Sequence, residues 1–184
     1  YAGHPNVKGL AKQLENSSVR TIFLGGLHAS ASPLFFSSFL NNLSHSVVFV
    51  LGDAEEAGYF YHDLVQICGD KRVLFFPSSF KRALKYGHED DANRILRTEV
   101  MSRLTNRRRK EGLLIVTHPD ALAEKVASQS DLEEKTLSIA VGESISRDEV
   151  EKRLGALDFK EVTYVYEPGE FAVRGSIIDI FSFS

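Results

Sequence analysis

Four short runs that are apolar almost from end to end recur along the chain: RTIFL at 20–24, SVVFVL at 46–51, RVLFF at 72–76 and LLIVT at 113–117. Each is too short for a helix and lacks the alternation of a strand with one wet face, so each reads as a strand covered on both sides. Between them the apolar period changes to that of a helix. Leu34, Phe35, Phe39, Leu40 and Leu43 recur over 33–43. Tyr59, Phe60, Leu64 and Ile67 recur between a starting Asp53 and a stopping Gly69, and Ile95, Leu96, Val100 and Leu104 recur over 90–110. Shorter helices fit 6–16 and 119–126. Buried strands alternating with helices imply a doubly wound, mostly parallel sheet with right-handed crossovers, an α/β fold.

The composition turns polar at SQSDLEEK, 128–135, which divides the chain into 1–127 and 128–184. The second part reads as a smaller α+β domain. It holds a strand at 136–141, a helix at 146–157 capped by Ser146 with Glu149 at the capping-box position, and a hairpin over 164–183. Pro168 and Gly169 supply the expected hairpin turn. In the strand that follows, Phe171 and Val173 share one face while Ala172 and Arg174 share the other, so Arg174 stands out from the sheet. Gly175 permits a bulge or a close backbone approach. Arg174 then has two readings: a fork that grips a carboxylate on a partner, or a solvated surface arginine.

Composition excludes several function classes. With 43% hydrophobic residues the chain buries a core, and a net charge of −3 supplies no basic field for sequence-independent nucleic-acid binding. One cysteine, Cys68, excludes an internal disulfide and a cysteine-rich zinc site, and the six histidines have no metal-ligand spacing. No catalytic residue and no metal site is expected. No apolar run approaches the ~20 residues that span a bilayer, and no signal-peptide pattern opens the chain, so a soluble, cytoplasmic protein without membrane contact is the expectation.

A doubly wound fold places phosphate at a strand–loop–helix junction, here GGLHASAS at 25–32. The template G-x-x-x-x-G-K-[ST] puts Gly25 at its first glycine, Ser30 at its second, Ala31 at the lysine and Ser32 at the magnesium hydroxyl. The cation that neutralises the phosphates is missing, and Ser30 adds a Cβ where backbone must wrap closely. Two other clusters have bland readings: His88, Glu89, Asp90 and Asp91 as a cap before a long helix, and Arg107 to Lys110 as a solvated helix end. Ser30 with His88 makes no hydrolase pair, because no G-x-S-x-G elbow is present.

The run EPGEFAVRGSIIDIF closely resembles the docking signature of the second domain shared by bacterial transcription-repair coupling factors (Mfd) and the excision-repair subunit UvrB. The resemblance implies that this part docks UvrA, with Arg174 as anchor and Glu170 and Tyr166 as neighbours. It implies that 1–127 is a degenerate motor-like domain, in which GGLHASAS resembles a decayed phosphate loop and the aromatic damage hairpin is cut down to Tyr86. ATP and magnesium, RNA polymerase and double-stranded DNA would then belong to further domains of an ATP-dependent translocase. Another docking strand would lie beyond Ser184, making this chain a fragment. The alternative is a UvrB-type nucleotide-dependent helicase subunit with an unusual phosphate loop.

Overall fold

A computed structural model describes residues 2–40, 46–80, 90–105, 112–134 and 136–183. Their elements run α1 (Pro5–Leu14), α2 (Ala31–Leu40), β1 (Val47–Val50), α3 (Ala54–Cys68), β2 (Val73–Phe76), α4 (Asp91–Thr105), β3 (Leu114–Thr117), α5 (Pro119–Ala123), α6 (Gln129–Glu134), α7 (Arg147–Ala156), β4 (Lys160–Glu161), β5 (Glu170–Arg174) and β6 (Ile177–Phe181). The chain gathers into two compact units, Tyr1–Ser78 with Asn106–Glu124, and Ser79–Thr105 with Lys125–Ser184. The segment 79–105, which precedes the polar tract at 128–135, thus groups with the second unit.

In the first unit a three-stranded parallel sheet has the order β1-β3-β2. Val47 pairs with Leu114 and Val73 with the same residue from the other side. One face carries Phe49, Val73, Leu114 and Val116, buried against Val7 and Leu10 of α1, Leu40 of α2 and Ala57, Phe60 and Leu64 of α3. Aromatic edges fix the fit: Phe36 meets Phe49 at 5.2 Å and Phe49 meets Phe60 at 5.0 Å between ring centroids. The opposite face of β2 and β3, with Leu74, Phe76, Ile115 and Thr117, is buried as well. Local chemistry sets the bounds of α3. The Asp53 carboxylate accepts the Glu56 N–H at 2.8 Å, Glu56 accepts the Gly52 N–H at 2.9 Å, and Gly69, at φ 81°, ends the helix. Tyr59 and Ile67, expected to face inward, are exposed.

The expected first strand is not one. Residues 20–24 pair with nothing in either sheet, and Phe23 is 92% exposed. An apolar pentapeptide becomes a strand by pairing with an edge rather than by its own preference, and this run is unpaired.

The second unit is built on a sheet of order β4-β5-β6, with β4 parallel and β6 antiparallel to β5. Phe171 with Val150 and Leu154 of α7 forms its core, joined by Leu137, Ile145, Phe159, Val173 and Ile178. Ser146 caps α7 as expected, accepting the Glu149 N–H at 3.2 Å, while the Glu149 carboxylate takes Arg153 at 2.8 Å. Asp90 caps α4 by accepting the Ala92 N–H at 3.0 Å.

Two expectations for this unit are corrected. The run 136–141 is not a strand: the amide of Ala140 donates to Glu143 Oε2 and the amide of Glu143 to the Ala140 carbonyl, both at 3.0 Å. That turn takes Ile139 and Val141 out of line with Leu137 and leaves them exposed. The hairpin turn is not Pro168–Gly169 but Gly175–Ser176, since Arg174 pairs with Ile177. Gly175 has φ 63°, as the first central residue of a two-residue hairpin loop requires. Residues 164–167 form no strand.

Candidate functional site

The hairpin register decides which side chains share a surface. Paired residues lie on one face, so Phe171, Val173, Ile178 and Ile180 form the core side, and Glu170, Ala172, Arg174, Ile177, Asp179 and Phe181 form the other. Arg174 therefore points away from the core, as the sequence indicated, with 55% of its side chain exposed. It is not a bare fork. Nη2 donates to Asp179 Oδ2, on the neighbouring strand one diagonal step away, and Cζ lies 5.7 Å from the centroid of the Tyr164 ring. An acid and an aromatic ring fix the guanidinium in direction while most of its donors remain open to solvent.

Tyr166 is 78% exposed and its ring stands 6.5 Å from that of Tyr164. With the exposed Ile177 and Phe181, these residues make a surface of aromatic, aliphatic and arginine side chains, the composition typical of protein-interface centres. Glu170 plays a different part from the one expected. Its Oε2 accepts the N–H of Tyr166 at 2.9 Å and of Glu167 at 3.0 Å, so it braces the segment that presents both tyrosines. Those two amides, with Lys160 adding a smaller attraction, hold the Glu170 carboxyl below the ordinary glutamate value. Behind it Gly169, at φ 86°, donates to the Phe181 carbonyl at 2.8 Å. The positive φ favours glycine, and a Cβ there would lie 2.6 Å from Phe183 Cζ, so that ring would have to shift.

The second candidate, GGLHASAS, is assembled differently. Ala31, expected at the lysine position, opens α2, but no strand precedes the loop. The first helical amides are already used: Ala31 N–H donates to the His28 carbonyl at 3.0 Å, Ser32 N–H to Ala29 at 3.2 Å and Leu34 N–H to Ser30 at 3.3 Å. Pro33 has no N–H to offer. A phosphate cradle needs those donors free and converging, and here the loop's own carbonyls occupy them. The left-handed residues are Gly26 and Ala29 rather than Gly25, where an added Cβ would meet only Phe23 Cε1 at 3.5 Å. Gly25, Ser30, Ala31 and Ser32 thus lie in a tight turn that leads into a helix whose first amides are already bonded.

Tyr86, His88, Glu89 and the basic run at 107–110 lie outside the described residues. Among the described residues no group of three His, Cys, Asp or Glu side chains could hold a metal ion, and no helix is long and apolar enough to cross a membrane.

Comparison with known proteins bears on the same surface. Residues 137–184 match the UvrB interaction domain family. Over 158 residues, 86% of this chain, the sequence is 27% identical to the transcription-repair-coupling factor of Bacillus subtilis (strain 168), of which it covers 13%. It is 29% identical to that of Rickettsia bellii over 82% of the chain, again 13% of the relative, and 33% identical to that of Escherichia coli (strain K12) over a shorter 39% of the chain. The chain thus spans about an eighth of the length of the first two relatives. Both comparisons uphold the resemblance read from EPGEFAVRGSIIDIF.

Proposed function

We infer that this chain, similar over 82–86% of its length to transcription-repair-coupling factors and matched at 137–184 by the UvrB interaction domain, is a protein-docking module of transcription-coupled DNA repair. Its role in this reading is to recruit the excision-repair protein UvrA to RNA polymerase stalled at damaged DNA. The observation that carries the proposal is the geometry at Arg174: a guanidinium on the open face of a sheet, aimed by Asp179 and Tyr164, amid exposed Tyr166, Ile177 and Phe181. A carboxylate of UvrA would bond the open side of the fork, and the aromatic flank would exclude water from that bond. Glu170 and Asp179 act as positioning residues. Contacts with RNA polymerase and double-stranded DNA, and ATP hydrolysis with magnesium, are assigned in this reading to the part of the longer protein that the chain does not span.

The test is the affinity of UvrA for this chain and for Arg174→Ala, measured beside their melting curves. Losing the arginine leaves Asp179 to repel the incoming carboxylate. Truncating one member of an interfacial charge pair costs roughly 2–5 kcal/mol, an affinity loss of at least about 30-fold. The exposed pair with Asp179 contributes no more than about 1 kcal/mol to folding, so the melting point should barely move. Equal affinities would refute the assignment. The competing reading, a nucleotide-dependent helicase subunit, requires saturable ATP–magnesium binding that Gly25→Asp abolishes, and the occupied amides of α2 argue against it.

A further inference from the structure

Helix α4 lies in sequence between β2 and β3, yet residues 79–105 gather with the second unit. Its first turn is a fixed mount for one arginine. Asp90 caps the helix, the Asp90 amide donates to the Ser79 carbonyl at 2.8 Å, and the Arg94 amide donates to the Asp90 carbonyl at 2.9 Å. The Asp91 carboxylate meets Arg94 Nη1 at 3.6 Å, and Arg97 and Val100, within the next two turns, are buried. From that mount Arg94 Cζ lies 5.0 Å from the centroid of the Phe183 ring. The ring has two more neighbours. Phe159 meets it edge-on at 5.8 Å between centroids, and its outer edge faces Gly169, where the three atoms nearest to an added Cβ all belong to Phe183.

Gly169 carries this contact to the candidate docking surface. Its N–H donates to the Phe181 carbonyl at 2.8 Å and its carbonyl accepts the Lys160 N–H at 2.9 Å, so it ties β4 to β6. Next to it Glu170 holds the amides of Tyr166 and Glu167. We propose that Arg94 is a positioning residue for docking: by drawing the Phe183 ring against Gly169 it sets the turn that presents Tyr164 and Tyr166 beside Arg174. The proposal rests on the docking reading and adds to it a residue from a helix far upstream in sequence. Neither Arg94 nor Phe183 lies in the run EPGEFAVRGSIIDIF. Without the cation one face of the ring loses its electrostatic partner, and the ring can swing off Gly169. The support behind the turn then goes, and Tyr166 moves relative to the guanidinium of Arg174.

Two substitutions separate the charge from the packing: Arg94→Met keeps an unbranched stem without the charge, and Arg94→Lys keeps the charge. In this 184-residue chain Arg94→Met should shift the amide resonances of Tyr166 and Glu167. It should also weaken UvrA binding about threefold to tenfold, the range of a cation–π contact and less than the loss in Arg174→Ala. Arg94→Lys should match the unmodified chain in both respects. In a Phe183→Leu background, which has no ring face, Arg94→Met should cost nothing more. Unmoved resonances would overturn the proposal. So would an equal affinity loss with and without the ring, which would mean that Arg94 touches UvrA itself. Moved resonances with unchanged affinity, in a chain where Arg174→Ala does weaken binding, would overturn it too. Were Arg174→Ala itself without effect, the docking reading would fall, and the resonances would still decide whether Arg94 sets the turn.

Discussion

Among the described residues are two three-stranded sheets, and their faces differ in what they leave exposed. The parallel sheet has its central strand β3 buried along its whole length, Leu114 to Thr117, so its side chains pack in the interior. The mixed sheet buries Phe171 and partly buries Val173 on one side and leaves Arg174, Ile177 and Asp179 at least partly exposed on the other. The two glycine-bearing turns show the same contrast. At 25–32 the amides of Ala31 and Ser32 are taken by the loop's own carbonyls. At 166–170 the amides of Tyr166 and Glu167 are taken by the Glu170 carboxylate, and that arrangement presents two tyrosines outward. In the proposed reading, recognition belongs to the sheet that the fold leaves half uncovered.

The largest way to break this division is through the first core. Leu64, wholly buried on α3, packs in that cluster, and Leu64→Ala should destabilise the first unit by about 2–5 kcal/mol, seen as an early transition in thermal denaturation. Affinity for UvrA, measured below that transition, should be retained. A simultaneous loss of both would mean that the division into a structural and a docking part is wrong.

Gly169→Ala should cost less, about 1–3 kcal/mol, because a positive φ is imposed on a residue whose Cβ also meets Phe183. Its effect should fall on docking too, since the displaced turn carries Tyr164 and Tyr166. An unchanged UvrA affinity in this variant would separate the turn from the docking face.

The smallest effect is one of pH. Glu170 is held below the ordinary glutamate value by the Tyr166 and Glu167 amides, so its brace is fully present above that value and is lost as the pH falls through the lowered folded one. The amide resonances of Tyr166 and Glu167 should therefore shift in acid in the unmodified chain but not in Glu170→Gln. Identical titrations in the two proteins would show that the carboxylate does not hold the turn.

How much of this was legible in the sequence follows from what each signal reports. Helix α3 was read with its bounds because Asp53 and Gly69 act within one turn of themselves, and the strands β1, β2 and β3 were read because their apolar runs are paired. The runs 20–24 and 136–141 look alike in composition but failed as strands, since composition reports what a segment would bury and not whether an edge receives it. The position of Arg174 on the open face was legible from alternation alone. A turn at Pro168–Gly169 hides the pairing of β5 with β6, and with it the place of Asp179 beside Arg174. With the turn at Gly175–Ser176, counting two residues from the Ala172 pair brings Asp179 diagonal to Arg174. Tyr164 was beyond reach in any case: its ring arrives over the guanidinium through an irregular segment that has no period.

The division between the two regions can be tested at two exposed aromatic side chains, Phe23 in the first unit and Tyr166 in the second. A photoreactive benzoylphenylalanine placed at each position in turn, followed by irradiation with purified UvrA, reports which region the partner touches. The account predicts a covalent UvrA adduct from position 166 and none from position 23. An adduct from position 23 with none from position 166 would contradict it.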